Sequence, residues 1–406
     1  MLYPDGIKGV SPALHRAQLD KVTLLGTLLG LASFFFPGYL TYRPNRLASG
    51  SSLSVWEAVS PLEMAILPGL WTLILLLAFL KGNNKGLNFF SGMAAGAIFF
   101  ADFWLAGISA GKMGGGGDQI ARVSLGAGAW VTALSAYIVL FASRRHLAES
   151  KFLKLTVSIL GPFMLLLAAA GGHLNELSIV KEFLAREERF IFEFFQHITL
   201  SGLAVGAGIF TGVPLGIWAF KNRLAGKVFF FFANTVQTIP SLALFGLLIA
   251  PLSLLSEKIP FLRQAGVRGI GWTPALIALA LYSLLPIIRN VYTGLKIIDP
   301  GVIDAGLGMG MSRLQLLLKV EIPLALPVIL SGIRTAAVQS IGNTTVAALI
   351  GAGGFGTFVF QGLGQAAPDL ILLGAIPVIL MALAADILMQ GLISLLTPKG
   401  ISGGQR

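Results

Sequence analysis

The chain has 406 residues, 55% of them hydrophobic and only 12% charged, with 50 glycines and no cysteine. Its mean hydropathy of +0.82 is that of a polytopic α-helical membrane protein, and the composition excludes a soluble globular domain, a disulfide framework and thiolate metal sites. The formal net charge of +11 would suggest nucleic acid in a soluble domain, but the basic residues here flank apolar runs, which points to anionic membrane lipid and away from nucleic acid.

A helix needs about 20 apolar residues to cross a bilayer. Such spans are predicted near 22–40, 61–80, 88–107, 125–142, 153–171, 195–220, 228–250, 273–290, 324–349 and 370–396, about ten in all. The first follows Lys21 and has the flanks of a signal peptide, yet its length and the spans behind it favour a retained helix. Lys21, Lys85, Arg144, Arg145, Lys221, Arg223, Arg289 and Lys296 fall in loops on one side. Fewer basic residues, Arg43, Lys112, Arg122, Lys181 and Arg263 among them, fall on the other. The bias places both termini in the cytoplasm.

Residues 1–172 form a first region of about five spans with no usable motif. Over 173–194, Ile179, Val180, Phe183, Leu184, Phe190, Ile191 and Phe194 fall largely on one helical face opposite glutamates and basic residues. An amphipathic linker helix on the outer surface is expected there, lying on the bilayer or serving as a docking surface. Residues 195–406 form a second, five-span region, and no repeat relates the two.

Within that second region Pro240 interrupts an apolar run beside Gln237, Thr238 and Ser241. Asn343, Thr344 and Thr345 form another polar island. Polar groups at membrane depth either join helices or line a route for a polar solute, and two islands in one domain, one beside a proline, favour the route. "GAGGFG" after the second island is expected to be an outer turn or re-entrant piece. No phosphate-loop pattern occurs, so neither that run nor "MGGGGD", Met113 to Asp118, binds nucleotide. His15, His146, His173 and His197 make no metal-ligand spacing, and no metal site is expected.

Between the two islands lies "IDPGVIDAGLGMGMSRLQLLLKVEIP", Ile298 to Pro323. Asp299 caps a helix whose first residue is Pro300, and Gly310 closes it in the left-handed conformation. Ser312 with Gln315 forms a capping box for a second helix, which Pro323 is expected to stop. Met309, Met311, Leu314, Leu317 and Leu318 are expected to face a groove, with Arg313, Lys319 and Glu321 in water. This knuckle carries no catalytic chemistry; it is a handle. Arg334 and Asp386 lie at similar depths in their spans, about 15 Å from the knuckle side, and are expected to pair as a structural lock rather than a proton relay. Asp102, near the outer end of its span, is expected to reach water.

The order Asp304-Ala305-Gly306, three residues, Gly310, nine residues, then Val320-Glu321-Ile322-Pro323 resembles the E-A-A-x-x-x-G-x9-I-x-L-P loop of binding-protein-dependent ABC importer permeases. Asp304 stands where that pattern has Glu, and Gly306 where it has Ala. "NTVQTIPSLALFGLLIAPL" and "GNTTVAALIGAGGFGTFVFQGL" resemble the matching spans of glycine betaine, carnitine, choline and proline osmoprotectant permeases, over about the last 200 residues. An additional N-terminal membrane region resembles one subgroup of these.

The resemblance implies an all-α type I importer core at 195–406 and a coupling loop at 299–323. There Asp304, Ala305, Gly306, Gly310, Met311, Arg313, Leu314, Glu321 and Pro323 would engage a separate ATP-binding subunit. It also implies a second permease copy or paralogue, an extracytoplasmic solute-binding protein, and no enzyme activity or cofactor in this chain, with ATP and Mg held by the partner. Two other readings remain at this point. A secondary transporter driven by an ion gradient predicts inverted repeats and functional intramembrane carboxylates. A membrane scaffold makes the polar islands incidental.

Overall fold

The computed structural model describes residues 20–46, 48–80, 84–114 and 120–397. His15 and most of the Met113–Asp118 glycine run lie outside the described residues. The chain forms two compact units, Met1–Lys181 and Glu182–Arg406.

The first unit contains α1 (Lys21–Ala32), α2 (Pro61–Leu80), α3 (Lys85–Met113), α4 (Ala127–His146) and α5 (Lys151–Ala170). Asp20 caps α1 by accepting from the N–H groups of Val22 and Thr23 at 3.1 and 3.2 Å. The helix expected over 22–40 ends early. It continues as a 3-10 turn to Phe35 and then stops, because Pro37 has no N–H to donate and Gly38 takes φ 84°. Lys21–Phe35 spans about 22 Å, less than the roughly 30 Å of a hydrocarbon core. Among the described residues, nine other helices are long and apolar enough to cross a membrane.

Beyond that stop the chain enters a small antiparallel sheet that hydropathy did not announce. It comprises β1 (Leu40–Arg43), β2 (Ser51–Leu53) and β3 (Arg122–Leu125) in the order β2-β1-β3, with Leu40 opposite both Leu53 and Leu125. Leu40, Leu67, Trp71, Ile74, Ile98 and Leu105 form the buried core of this unit. Asp102 does not reach water: it is fully buried. α3 runs on to Met113, a further turn and more beyond the expected 107, and the Asp102 carbonyl accepts the Tyr39 hydroxyl at 2.6 Å.

The helix expected over 173–194 is broken. α6 (Ser178–Leu184) ends before Arg186, and α7 (Glu187–Lys221) then runs without interruption through what reads in sequence as both linker and span. Glu187 and Glu188 occupy its first turn, where an acidic side chain offsets the free N–H groups. Of the apolar residues assigned to a bilayer-facing stripe, Leu184 and Ile191 are exposed and the other five are half-buried. Ile179 and Val180 pack on the first unit's core, whereas Phe183, Phe190 and Phe194 join Phe355, Phe358, Leu370 and Leu373 in the second unit.

The second unit continues with α8 (Arg223–Thr238), α9 (Ser241–Lys258), α10 (Trp272–Lys296), α11 (Pro300–Gly308), α12 (Arg313–Ile350), α13 (Gly356–Gly364) and α14 (Pro368–Leu396). The central helix α10 packs on α7 and on α12. Gly208, Gly212 and Gly216 let α7 approach closely, since a Cβ on any of them would come within 3.0 Å of Ser283, Ile287 or Val291. The run expected as one span over 228–250 is two helices joined at Ile239–Pro240. Proline cannot continue the donor ladder, and the Ile239 carbonyl freed by the break accepts the Tyr282 hydroxyl.

Candidate functional site

The knuckle is built almost wholly from local interactions. Asp299 Oδ1 accepts from the Gly301 N–H at 2.7 Å and starts α11 at Pro300. Gly310, at φ 80°, donates to the Leu307 carbonyl, and Met311 donates to Gly306, closing the helix. Ser312 and Gln315 then exchange backbone and side-chain bonds at 2.8 and 3.3 Å, a complete capping box. Asp304, Ala305, Arg313 and Leu314 are exposed. Gly306 is buried, and a Cβ there would lie 2.6 Å from Leu316 Cδ1, so glycine lets α11 close on the start of α12.

Two expectations about the second knuckle helix are corrected. Pro323 does not stop it, because the chain widens into a π turn over Leu317–Glu321 in which the Ile322 N–H reaches back to the Leu317 carbonyl. That wider turn takes up the missing donor and the ring of Pro323, and the helix continues to Ile350. Leu317 does not face outward; it is buried with Ile287, Val291 and Leu295. Met309 and Leu314 are the outward apolar residues, at 73% and 63% exposure, with Leu318 beside them, Met311 half-buried and Glu321 half-buried. A groove of about 370 Å³ runs along α11, bounded by Asp299, Val302, Ala305, Gly306, Met309 and Val320.

The two polar islands meet through a residue that sequence reading did not single out. Gln237 Nε2 donates to the Tyr282 carbonyl at 3.1 Å and to Gln339 Oε1 at 3.4 Å, and Gln339 lies one helical turn before Asn343 on α12. Thr238 and Pro240 are exposed, while Ser241, Asn343 and Thr345 are half-buried. Thr344 faces no open route: it is fully buried, with its hydroxyl on the Ser340 carbonyl at 2.8 Å. It serves helix packing; Gln339 and Asn343, one turn apart, share a face of α12 that Gln237 reaches through Gln339, while Thr345 lies about 200° round the helix from Asn343. Arg334 and Asp386 form a two-pronged pair, Nε to Oδ1 at 2.5 Å and Nη2 to Oδ2 at 3.0 Å, and Gln390 donates to the same carboxylate.

A further cavity of about 790 Å³ opens among α7, α12 and α14, lined by Phe194, Gly202, Gly206, Ala337, Met381 and Ala385. Ser201, also at its wall, has its hydroxyl bonded to the His197 carbonyl, so this cavity offers little to a polar solute.

Sequence reading also missed a cluster at the other end of α12. The turn Gly351–Gly354 carries three left-handed glycines, at φ 78°, 80° and 85° for Gly351, Gly353 and Gly354. One face of α7 holds it. The Gly354 N–H donates to Glu193 Oε2 at 2.5 Å, the Phe355 N–H to His197 Nδ1 at 3.2 Å, and Gln196 Nε2 donates to the Ala352 carbonyl at 3.2 Å. Because His197 Nδ1 must accept, its proton sits on Nε2, which donates to the Ile341 carbonyl at 2.9 Å. The signal was the i, i+4 spacing of an acid and a histidine, hidden in a stretch that reads as a solvated face.

Residues 204–399 match the binding-protein-dependent transport system inner membrane component family. The osmoprotectant import permease protein OsmW of Salmonella typhimurium is 44% identical over 207 residues, which cover 51% of this chain and 91% of that protein. The chain belongs to the ABC importer permeases. The glycine betaine/carnitine/choline transport system permease protein OpuCB of Bacillus subtilis is similar at 39% identity, over 51% of this permease and 88% of the relative. Residues 19–180 match the N-terminal domain of the ABC transporter permease YehY, the region for which sequence offered hydropathy alone. The solved MetNI methionine ABC transporter, in an inward-facing form, is similar at 21% identity and a TM-score of 0.42, over 51% of this permease and 97% of that chain. As a member of its family the permease is a multi-pass inner-membrane protein that works with ATP-binding and solute-binding partners.

Proposed function

We propose that this permease passes a small compatible solute of the quaternary ammonium or betaine type, delivered by an extracytoplasmic binding protein, and that ATP and Mg are bound by a separate subunit seated on the knuckle. The observation that carries the reading is the knuckle itself: two capped helices with Met309 and Leu314 held outward beside a groove, continuous through α12 with Gln339 and Asn343. An unbroken helix of about 57 Å at 1.5 Å per residue is a mechanical link from the one to the other. The solute class is supported by the names of the relatives.

Uncharged amides and hydroxyls at Gln237, Thr238, Gln339 and Asn343 suit a zwitterionic or singly cationic solute in transit, because none of them would trap its ammonium group as a fixed carboxylate would. The knuckle and the C-terminus face the cytoplasm in this reading, on the strength of the basic loops; with nine crossings among the described residues, the N-terminus joins them only if the short helix Lys21–Phe35 also crosses. A second copy or a paralogue completes the path, and Arg334 with Asp386 braces α12 against α14. The test is uptake of labelled glycine betaine and choline into proteoliposomes containing the permease, the ATP-binding subunit and the binding protein. Uptake that requires ATP and the binding protein supports the reading. Uptake driven by an ion gradient with ATP depleted would replace it with a secondary transporter.

A further inference from the structure

The glycine turn after α12 lies at the opposite end of that helix from the knuckle, and it is fixed in a way the path alone does not require. Three side chains from one face of α7 capture three backbone groups of the turn: Glu193 takes the Gly354 N–H, His197 the Phe355 N–H and Gln196 the Ala352 carbonyl. Glu193 and His197 are fully buried, and Arg189 holds the other carboxylate oxygen at 2.5 Å. A charged acceptor on a backbone N–H is about twice as strong as a neutral one. Just beyond the turn, the first residue of α13 packs on the backbone of α12, since a Cβ on Gly356 would lie 1.8 Å from the Thr345 carbonyl oxygen. A movement of the turn is therefore passed to the α12 backbone at Thr345, two residues from Asn343.

We propose that Glu193, Gln196 and His197 are positioning residues that latch the turn Gly351–Gly354 across the end of the solute path opposite the knuckle, and that this end opens when the latch releases. The proposal rests on the permease reading for the existence of the path. The bonds suit a latch because they are few and all made to backbone. Left-handed glycines carry no Cβ penalty, so the turn has other conformations available once its N–H groups are let go. Packing alone would have supplied a continuous apolar contact. Phe355 and Phe358 do supply one, and it secures α13 against Phe190 and Phe194; the hydrogen bonds hold the turn ahead of it.

The experiment uses the full complex in intact cells, with a single cysteine at Asn343→Cys and a membrane-impermeant maleimide added outside. Glu193→Gln keeps an acceptor of the same shape but removes the charge, and His197→Gln removes the ring. Each should raise the labelling rate at position 343 about tenfold, Glu193→Gln by removing the charge from one acceptor of the latch and His197→Gln by removing a neutral acceptor outright. A purely structural role would lower Tm and leave labelling of the assembled complex at the parent rate. Parent-rate labelling in both variants, at parent abundance in the membrane, overturns the latch.

Should those variants fail to assemble, a Gln196→Cys, Ala352→Cys pair joined by a short reversible cross-linker decides the matter. Cross-linking should abolish labelling at 343 and reduction should restore it, whereas unchanged labelling overturns the proposal. Labelling needs no transport, so a failed uptake assay counts against the permease reading and leaves the latch standing.

Discussion

The two ends of α12 are closed by the same residue type in opposite ways. At the knuckle, Gly310 at φ 80° is flanked by bonds between residues two or three apart, Asp299 with Gly301 and Ser312 with Gln315. At the far end, Gly353 and Gly354 also take positive φ, but the bonds that fix them come from Glu193 and His197, 161 and 158 residues away along the chain. The near end is a self-contained exposed handle. The far end is a buried joint whose shape belongs to another helix. A continuous rod with an autonomous grip at one end and a borrowed closure at the other can respond to force at the grip without the grip losing its form.

If that contrast holds, damage at the far end should be global and damage at the near end local. The largest effect is expected for Gly356→Val. Its Cβ would meet the Thr345 carbonyl at 1.8 Å, a backbone atom that cannot step aside, so a loss of more than about 4 kcal/mol should leave no folded permease in the membrane fraction. Midway along the rod, Arg334→Ala should lower stability by less than the far-end change, because the pair is about a third exposed, at 33% and 29%, and water screens it. Adding Asp386→Ala should recover part of that loss in thermal unfolding. Strict additivity of the two would mean the pair contributes nothing. At the near end, Ser312→Ala should cost about 1 kcal/mol through the lost cap, a loss confined to the knuckle, so abundance should stay normal while binding of the ATP-binding subunit weakens.

The same contrast explains what sequence could reveal. Capping chemistry is local, so Asp299, Pro300, Gly310, Ser312 and Gln315 announced the knuckle. Apolar runs announced most of the spans, because length in hydrocarbon is a property of a contiguous segment. Pro323 was misread because the remedy, a π turn over Leu317–Glu321, lies outside the rule that prolines end helices. The break at Arg186 and the sheet around Leu40 were missed because short polar-apolar stretches carry no strong period. Gln339, Tyr282, Glu193 and His197 act through partners distant in sequence, and no spacing within one chain segment encodes such a meeting. Thr344 shows the reverse error: a polar type at the right depth whose hydroxyl is already used by its own helix.

What matters most is whether the knuckle transmits the state of an ATP-binding subunit to the path, and Gly310→Pro asks that question with a single residue. Proline cannot reach φ 80°, and the substitution also removes the N–H that donates to Leu307, while the caps at Asp299 and Ser312 remain. In proteoliposomes holding the complete complex, hydrolysis of ATP and uptake of labelled solute are measured side by side. Transmission through the knuckle predicts that the variant inserts and assembles, that hydrolysis continues, and that uptake per ATP falls to background. Full ATP-driven uptake with Gly310→Pro in place would refute it.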